Sequence, residues 1–490
     1  MARVLLSLLF AASLQASSFY TGQAARAVLG QSSFSSRDPG VSASAMTLSN
    51  SRLYVADTSN RVLTFDLSKI PGPKDEARAS LACSLCGFAP VSSVMQSVAP
   101  GSATVSIRGK SVAAIDTKTR RVFIWRDVTS PAAARGPDVI LQPSDPQTAA
   151  ISESTLIDPV SVALDGTRLF VGDAALHRIL VWKSLPVSAN QPADAVLGQH
   201  DFASREIAET PRADTIGRPE VLVSDGNNLF VGDSVDRRIL VFTPADAHLT
   251  ADAVVNSATL SAGPLAPGTL ITITGNQTAE KVGAAPDDGS EPLPSKLAGV
   301  QVIFDGVPLP LVAVSASEVR TQLPYVAGGA TSANLYLRIE HDDGSSIVTS
   351  PVAVSLVSAS PGLFAFGGSE PRPGMLLHTG DSPVTSDNPA GPEETVTVWA
   401  TGLHVIGSSP EQAPVAGVPF SGTQAAFTPL HASVNGQPAE VKSASLPPTS
   451  MGVYQIRIVL PSEISGDGPA QLVVTQDGVT SNDITFPVKR

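Results

Sequence analysis

The sequence is poor in the residue types that carry most protein chemistry. Only two of its 490 residues are cysteines, aromatic residues make up 5% and charged residues 16%. It contains no His-Glu-x-x-His zinc motif, no Gly-x-Ser-x-Gly nucleophile elbow and no phosphate-binding Gly-Lys loop. Its seven histidines are scattered between His177 and His431. We therefore expect no catalytic residue, no cofactor and no metal ligand, and we do not expect an enzyme.

Basic residues are also scarce, and the formal net charge is −12. Nucleic acids and anionic membrane surfaces bind clusters of Lys and Arg, which the sequence lacks. No apolar run is long enough for a transmembrane helix. The segment from Met1 to Ala16, with Arg3 followed by the apolar stretch 4–10, has the pattern of a signal peptide. We expect a leader over 1–18, cleaved after Ala16 or Ser18, and a protein that is secreted or lies at the cell surface or in the periplasm.

The two cysteines, Cys83 and Cys86, have the spacing Cys-x-x-Cys. One interpretation is a redox pair or half of a metal site. The other is a small-loop disulfide, or two ordinary thiols, in an exported protein. Because two cysteines cannot complete a tetrahedral zinc site, the structural interpretation is favoured.

Turn-forming residues, by contrast, are abundant, with 39 glycines and 40 prolines, and no long helical pattern appears. This composition favours an all-β chain. Four segments share one pattern, in which an apolar run ends at an aspartate and an arginine opens a second apolar run. They are Leu53 to Phe65, Val112 to Trp125, Leu169 to Trp182 and Leu229 to Phe242.

Each of these segments predicts a β-hairpin, and the arginines that open the second runs recur at a nearly constant interval along the chain. The strands are apolar at consecutive positions, so both faces of each sheet should be buried. That regular spacing is typical of a β-propeller built of four-stranded sheets. A Val-Leu-Gly-Gln segment at 28–31, echoed at 196–199 and weakly at 139–142, predicts an outer strand. In the second unit the corresponding segment is 80–83. The strand near the N-terminus would then complete the last sheet.

The aspartate and arginine of each turn form the best candidate constellation. Four aspartates around an axis could bind a cation such as calcium. Alternatively, each aspartate caps its own turn and pairs with its own arginine. Occurrence in every unit favours this structural role, for the residues Asp57, Arg61, Asp116, Arg121, Asp173, Arg178, Asp233 and Arg238.

These hairpins resemble NHL repeats, whose signature is an apolar strand, then D-x-x-N-x-R, then another apolar strand. Asp57, Asn60 and Arg61 carry the resemblance in the first unit. In the third and fourth units the Asp and Arg match without the asparagine. The resemblance covers 24–244 and implies an NHL-like β-propeller, assigned here to 19–247. Some NHL-like propellers are lyases with metal-bound histidines, which is the alternative function.

The second half begins after a short linker and contains its own repeat. Asp305-Gly306 recurs as Asn435-Gly436, and Asp343-Gly344 recurs as Asp477-Gly478. Asp-Gly and Asn-Gly between apolar runs are hairpin signals, because these residues tolerate positive φ. The pattern predicts two immunoglobulin-like β-sandwiches, over 253–357 and 358–490.

This half resembles the uncharacterised C-terminal domain family of secreted proteins in Solibacter-type acidobacteria. The matching pieces include LAPGTLITITG at 265–275, LAGVQVIFDGVPLPL at 297–311 and MGVYQIRIVLP at 451–461. The resemblance implies an exported surface module. We therefore expect a secreted, non-catalytic binding or scaffold protein, whose propeller loops present a face to a protein, peptide or glycan. The alternative is a metal-dependent propeller lyase or hydrolase.

Overall fold

The computed structural model describes most of the chain, and the described residues form β-strands, loops and a few short 3-10 helices. The described residues contain no α-helix, and no helix among them is long and apolar enough to cross a membrane. Short 3-10 helices occur at Leu67–Lys69, Ala133–Arg135 and Ala251–Ala253. The described residues are 17–37, 40–59, 61–70, 72, 74, 92–95, 105–116, 118–276, 278–286, 289–325, 329–367, 370–406, 414–421, 426–465 and 468–489.

Four antiparallel sheets of four strands each make up the N-terminal half. The strand nearest the N-terminus is β1 (Ala27–Leu29). The first sheet contains β2 (Ala43–Ser49), β3 (Arg52–Asp57), β4 (Arg61–Asp66) and β5 (Ser92–Met95). The second contains β6 (Val105–Arg108), β7 (Ser111–Asp116), β8 (Arg121–Trp125) and β9 (Val139–Leu141). The third contains β10 (Pro159–Asp165), β11 (Arg168–Asp173), β12 (Arg178–Trp182) and β13 (Ala195–Leu197). The fourth contains β14 (Pro219–Ser224), β15 (Leu229–Asp233), β16 (Arg238–Phe242) and β1.

The strand near the N-terminus thus belongs to the last of the four sheets. Val28 pairs with Leu240 in an antiparallel ladder between β1 and β16. The sequence predicted this pairing, because a Val-Leu-Gly-Gln strand follows the hairpin in the other units but precedes all of them at residue 28. Ser18 is also held in place, since its backbone exchanges two hydrogen bonds of 2.8 Å with Ala245.

Apolar cores fill the spaces between sheets. One core lies between the second and third sheets, one between the third and fourth, and one between the fourth and first. In β16, Ile239 and Val241 enter the core shared with the first sheet, whereas Leu240 and Phe242 enter the core shared with the third. The prediction that consecutive apolar residues bury both faces is therefore confirmed for the fourth sheet.

The first sheet differs from the sequence prediction at its last strand. The segment 80–83, expected to supply it, lies outside the described residues. The strand that pairs with β4 is β5, in which Val94 lies opposite Val62. Sequence similarity could not locate β5, because Ser92–Met95 lacks the Val-Leu-Gly-Gln pattern of its counterparts.

The middle part of the chain, from Val254 to Ser355, forms two antiparallel sheets around one core. One sheet has the order β17-β18-β23-β22-β19, and in the other β20 and β24 are central. The strands are β17 (Val254–Asn256), β18 (Leu270–Thr274), β19 (Gly283–Ala284), β20 (Val300–Phe304), β21 (Val307–Pro308), β22 (Leu311–Val314), β23 (Glu318–Gln322), β24 (Ser332–Glu340), β25 (Ser346–Val348) and β26 (Val352–Ser355).

The C-terminal part is one ten-stranded sheet around a further core, with a separate pair of short strands, β31 and β32. Strand β34 pairs with β33 over residues 437–439 and with β35 over residues 440–445, so it joins the two halves of the sheet. The strands are β27 (Gly362–Leu363), β28 (Arg372–Pro373), β29 (Leu376–His378), β30 (Thr395–Thr401), β31 (Val405–Ile406), β32 (Ala426–Phe427), β33 (Leu430–Val434), β34 (Gln437–Ser445), β35 (Tyr454–Val459), β36 (Ala470–Gln476), β37 (Val479–Thr480) and β38 (Ile484–Phe486).

The middle part contacts the fourth sheet through the start of β24. The buried Asn334 donates its Nδ2 hydrogens to the carbonyls of Ala25 (2.9 Å) and Arg26 (2.7 Å), just before β1. The backbone N–H of Ala24 donates to the Pro351 carbonyl at 2.8 Å. These bonds satisfy backbone carbonyls beside the outermost strand of the fourth sheet, a position at which sheets otherwise expose unpaired groups.

The turn that faces Asn334 contains Asp305, whose carboxyl group lies where burial disfavours its charged form. Asp305 and Gly306 have φ of 47° and 81°, as the Asp-Gly signal predicted. The Asp305 carboxylate accepts the Asn334 backbone N–H at 2.8 Å. Burial nevertheless raises the pKa of Asp305 to about 7. Its charged form therefore destabilises the folded chain.

Replacing Asp305 with Asn, the residue at the equivalent turn position 435, should stabilise the chain in a pH-dependent way. Because the folded pKa lies above the unfolded one, stability that is complete below about pH 4 is lost as pH rises to about 7. The Asn variant has no carboxyl group to ionise at this position, so it does not lose this stability as the pH rises. Since Asp305 is only half-buried, we expect a gain of about 1–2 kcal/mol at pH 8 and none at pH 4. Urea unfolding of both proteins at the two pH values measures it, and a gain of equal size at both would contradict the explanation.

Candidate functional site

The aspartate and arginine of each repeated turn lie directly opposite each other on neighbouring strands. In the third and fourth sheets, Asp173 pairs with Arg178 and Asp233 with Arg238, at the end of each hairpin. Asp57 with Arg61 and Asp116 with Arg121 occupy the same positions in the first and second sheets. The turn itself thus brings each pair together.

Arg238 is completely buried and binds three separate parts of the chain. Its Nη1 donates to the carbonyl of Phe34 and, at 3.0 Å, to that of Arg212. Its Nη2 donates to the Thr215 carbonyl at 2.8 Å. Its Nε donates to Asp233 Oδ2 at 3.3 Å. One guanidinium therefore joins its own hairpin to the loop after β1 and to the loop before β14.

Arg178 makes the equivalent carbonyl contacts one sheet earlier, but its buried Nε has no hydrogen-bond partner among the described residues. Its Nη1 donates to the Phe202 carbonyl, and its Nη2 donates to the carbonyls of Ser152 (3.0 Å) and Thr155 (2.8 Å). Phe202 and Phe34 are the last residues of the two Val-Leu-Gly-Gln-x-x-Phe segments. Burial lowers the pKa of Arg178, and the nearby Asp173 opposes that shift. The two arginines thus hold equivalent loops by their backbone carbonyls.

The aspartates hold the same loops by their backbone N–H groups. Asp233 accepts hydrogen bonds from Gly217 (3.1 Å) and Arg218 (2.9 Å). Asp173 accepts them from Ile157 (2.7 Å) and Asp158 (3.0 Å). Burial raises the pKa of both aspartates, and the backbone donors and the arginines counteract the shift. We call each of these buried aspartate–arginine pairs, with its loop contacts, a latch.

The glutamine of the Val-Leu-Gly-Gln segment completes each latch. Gln199 Nε2 donates to the His177 carbonyl at 3.2 Å, and Gln31 Nε2 donates to the Arg237 carbonyl at 2.8 Å. His177 and Arg237 precede the latch arginines, and both have φ of 52°. Sequence reasoning assigned no role to the glutamine. Its recurrence at a fixed distance before the phenylalanine was the available signal.

The second sheet lacks a complete latch among the described residues, and in the first sheet the side chain of Arg61 lies outside what the structure describes. Asp57 is buried and accepts the Ser42 N–H at 3.2 Å. Asp116 is more exposed and caps its own turn, accepting Lys118 N at 3.0 Å and Thr119 Oγ1 at 2.7 Å. These hydrogen bonds lower the pKa of Asp116. Arg121 is exposed. The shared sequence pattern therefore corresponds to two different environments.

A calcium ring of the four aspartates is not formed. Each carboxylate accepts hydrogen bonds from backbone N–H groups near its own sheet, as described above. Within the described part of the chain, no group of three or more His, Cys, Asp or Glu side chains is arranged to hold a metal ion. Cys83 and Cys86 lie outside the described residues.

The histidines of the N-terminal half are not arranged for acid–base catalysis. His177 Nδ1 lies 2.5 Å from the Gly217 carbonyl. His200 Nε2 lies 3.0 Å from Ser204 Oγ and 3.2 Å from Asp201 Oδ2. In a catalytic triad the acid binds the other ring nitrogen, so this exposed cluster is a loop contact.

A small cavity lies between the fourth and first sheets. Its volume is about 90 Å³, and its polar lining includes Arg26, Asp225 and Asn228. Thr243 Oγ1 links Arg26 Nε (2.9 Å) to Asn228 Oδ1 (2.6 Å), and Asn228 Nδ2 donates to Asp225 at 2.9 Å. Pockets for small molecules are about 300–1,000 Å³. The volume therefore suits a few water molecules.

The loops that the latches hold form one surface, which we call the latch face. It comprises the loops 31–37, 142–158 and 198–218 at one end of the third and fourth sheets. Their backbones are fixed from the inside, whereas Arg205, Ile207 and Glu209 are exposed. Ile207 is 63% exposed. The arrangement presents side chains on a rigid support, which suits binding.

His378, in the C-terminal part, has both ring nitrogens against acceptors. Its Nδ1 binds the Glu394 carboxylate, and its Nε2 lies 3.0 Å from the Asn388 carbonyl. A carbonyl and a carboxylate both accept, so both hydrogen bonds form only when the ring carries two protons. The hydrogen bond to Glu394 accordingly raises the pKa of His378.

Replacing Arg238 with Met should unfold the latch of the fourth sheet. The change leaves buried carbonyls and Asp233 without their donor, so we expect the free energy of unfolding to fall by about 3–5 kcal/mol. The matched control is Arg121→Met, at the same strand position but exposed, which should change stability by less than about 0.5 kcal/mol. Urea unfolding measures both. Similar losses for the two variants would show that burial of the arginine is not what matters.

Replacing His378 with Gln should weaken the C-terminal sheet only at low pH. Since the folded pKa is raised above 6.5, the stabilisation is complete below that value and is lost as pH rises through the folded pKa. We expect a loss of about 1 kcal/mol near pH 5.5 and none near pH 9. Chemical denaturation at both pH values tests it, and NMR titration of the ring gives the pKa directly. A titration midpoint below 6.5 would refute the assignment.

Comparison with known proteins assigns no family. No protein-family model matches the sequence, and no curated protein matches it. Among solved structures, the chain is similar to Kluyveromyces lactis Hsv2, with 9% sequence identity and a TM-score of 0.17. The match covers 64% of this chain and 72% of that one. A TM-score this low carries no argument about fold or function.

Proposed function

We propose that the protein is an exported, non-catalytic binding or scaffold protein with an NHL-like β-propeller and two immunoglobulin-like modules. The four consecutive four-stranded sheets, with a strand from the N-terminus in the last, support the propeller. The two-sheet middle part and the ten-stranded C-terminal sheet, each with one core, support the sandwich-like modules. Export follows from the signal-peptide pattern and from the resemblance of the second half to secreted acidobacterial proteins.

The latch face is the observation that carries the binding function. Arg178 and Arg238 fix the loop backbones through six carbonyls, which leaves the loop side chains free to vary without loss of the fold. Rigid loops bind at a lower cost in conformational entropy than flexible ones. The exposed Ile207 beside Arg205 and Glu209 combines an apolar contact with charges of both signs. A protein, peptide or glycan surface fits that composition.

The second half would then hold this face at a distance from the cell or from other modules. The contact between Asn334 and the residues before β1 fixes the middle part to the fourth sheet. Because these hydrogen bonds prevent free rotation about the linker, a spacer joined in this way fixes the orientation of the latch face.

Binding assays on variants of the latch face test this function. Residues 17–490 are immobilised and exposed to a glycan array and to the extracellular proteins of the producing cells. We expect a retained ligand whose affinity falls at least about tenfold in the double variant Arg205→Glu, Ile207→Glu. The control Val479→Glu, on a short strand of the C-terminal sheet, should keep the affinity.

Two results would contradict the proposal. One is a ligand that both variants retain equally, which would place binding elsewhere. The other is stoichiometric zinc or calcium in the purified chain by elemental analysis, together with turnover of a substrate, which would support the metal-dependent lyase or hydrolase instead.

A further inference from the structure

The middle part of the chain binds a latch-face loop at the same peptide group that Arg238 binds. Arg238 Nη1 donates to the Arg212 carbonyl at 3.0 Å, and the N–H of that peptide group belongs to Ala213. This N–H donates to Ser332 Oγ, at the start of β24, at 3.2 Å. Ala213 and Ser332 are both completely buried. The latch arginine therefore holds one side of the peptide group, and the middle part holds the other side.

The loop after β1 is joined to the middle part at an equivalent point. Phe34, whose carbonyl Arg238 also binds, is followed by Ser35. Ser35 Oγ accepts the backbone N–H of Thr331 at 3.0 Å. Because Thr331 directly precedes Ser332, two consecutive residues of the middle part hold two loops that one latch arginine also holds.

Apolar packing supports these hydrogen bonds. Phe34 and Ala213 belong to the core between the third and fourth sheets, and Ala353 of β26 packs against that core. Ala353 lies opposite Asn334 in the ladder between β24 and β26, next to the carbonyl contacts described above. Contacts spread over a surface oppose a hinge motion, so we expect these loops and the middle part to move as one body.

The latch of the third sheet has no such link to the middle part. Arg178 binds the loop 142–158 through the carbonyls of Ser152 and Thr155. In the part of the chain that the structure describes, this loop makes no hydrogen bond to the middle part. The link through Ser332 is therefore specific to the fourth latch, and the third latch serves as an internal control.

We propose that Thr331 and Ser332 are positioning residues for the latch face, so that the middle part belongs to the binding unit and is more than a spacer. Coupling between two parts of a protein is reciprocal, so whatever fixes these loops also fixes the start of β24. A ligand at the latch face then stabilises the middle part. This last consequence rests on the binding function proposed above, whereas the positioning does not.

Amide hydrogen exchange of Ala213, measured in the full chain from residue 17, tests the positioning. Ser332→Ala removes the acceptor, so we expect the Ala213 amide to exchange at least about tenfold faster. The Ile157 and Asp158 amides, at the third latch, should not change. The control is Ser355→Ala, since Ser355 lies directly opposite Ser332 on β26 and its side chain makes no hydrogen bond to a described residue. This control should leave the Ala213 amide protected.

A conservative variant separates the hydroxyl group from packing. Ser332→Thr keeps the hydroxyl and should retain slow exchange of the Ala213 amide. Fast exchange in both Ser332 variants would assign the effect to packing and overturn the proposal. An Ala213 amide that Ser332→Ala leaves unchanged, or one that speeds up together with the third-latch amides, would also overturn it. Should Ser332→Ala fail to fold, Ser35→Ala tests the second link at a partly exposed position. It should speed exchange of the Thr331 amide, and an unchanged rate would overturn the proposal.

The binding assay described above distinguishes failure of this inference from failure of the proposed function. With the glycan array and the extracellular proteins as probes, Ser332→Ala should lower the affinity for the retained ligand at least about fivefold. Ser355→Ala should keep the affinity. Unchanged affinity despite faster exchange of the Ala213 amide would overturn the claim that the middle part belongs to the binding unit. If the assay retains no ligand, the proposed function fails, and the exchange rates alone decide whether Thr331 and Ser332 position the loops.

Discussion

The third and fourth sheets depend on the burial of charged guanidinium groups. An arginine without solvent contact is tolerated only when most of its donors meet acceptors, because desolvation costs several kcal/mol. Arg238 meets this requirement with three backbone carbonyls and two carboxylates. The acceptors come from loops far apart in sequence. The fourth sheet and its loops must therefore adopt their positions together.

This requirement links the beginning and the end of the four-sheet region. Phe34, just after β1, supplies a carbonyl to Arg238, and β1 pairs with β16. The fourth sheet cannot be completed until these two distant parts of the chain have met. Contacts of such long range slow folding, so the hairpins are expected to form first and the latches last. Attachment of Asn334 beside β1 then extends the same rigid unit into the middle part.

Much of this architecture could be predicted from the sequence, since it rests on local patterns. Consecutive apolar residues such as Ile239 and Leu240 predicted strands buried on both faces, and Asp-Gly and Asn-Gly pairs predicted the turns at Asp305 and Asn435. The strand at residue 28 was assigned to the last sheet by its position alone. Each of these signals lies within a few residues of the feature that it predicts.

The contacts that organise the latch face could not be predicted from the sequence. The aspartates bind backbone groups well upstream of their own hairpins, and the arginines bind carbonyls, which no side-chain pattern reveals. In the second sheet, Asp116 is partly exposed and Arg121 is exposed. Repetition of a motif thus predicted its place on the hairpin and not its environment.

Amide hydrogen exchange at four loop residues tests most directly whether the latches hold the loops. The N–H groups of Ile157, Asp158, Gly217 and Arg218 donate to the latch aspartates, outside any strand hydrogen bond. Formed latches predict that these amides exchange as slowly as those of β12 and β16. Exchange at the rate of exposed loop amides would contradict the account, because the buried pairs would then not hold the loops in place.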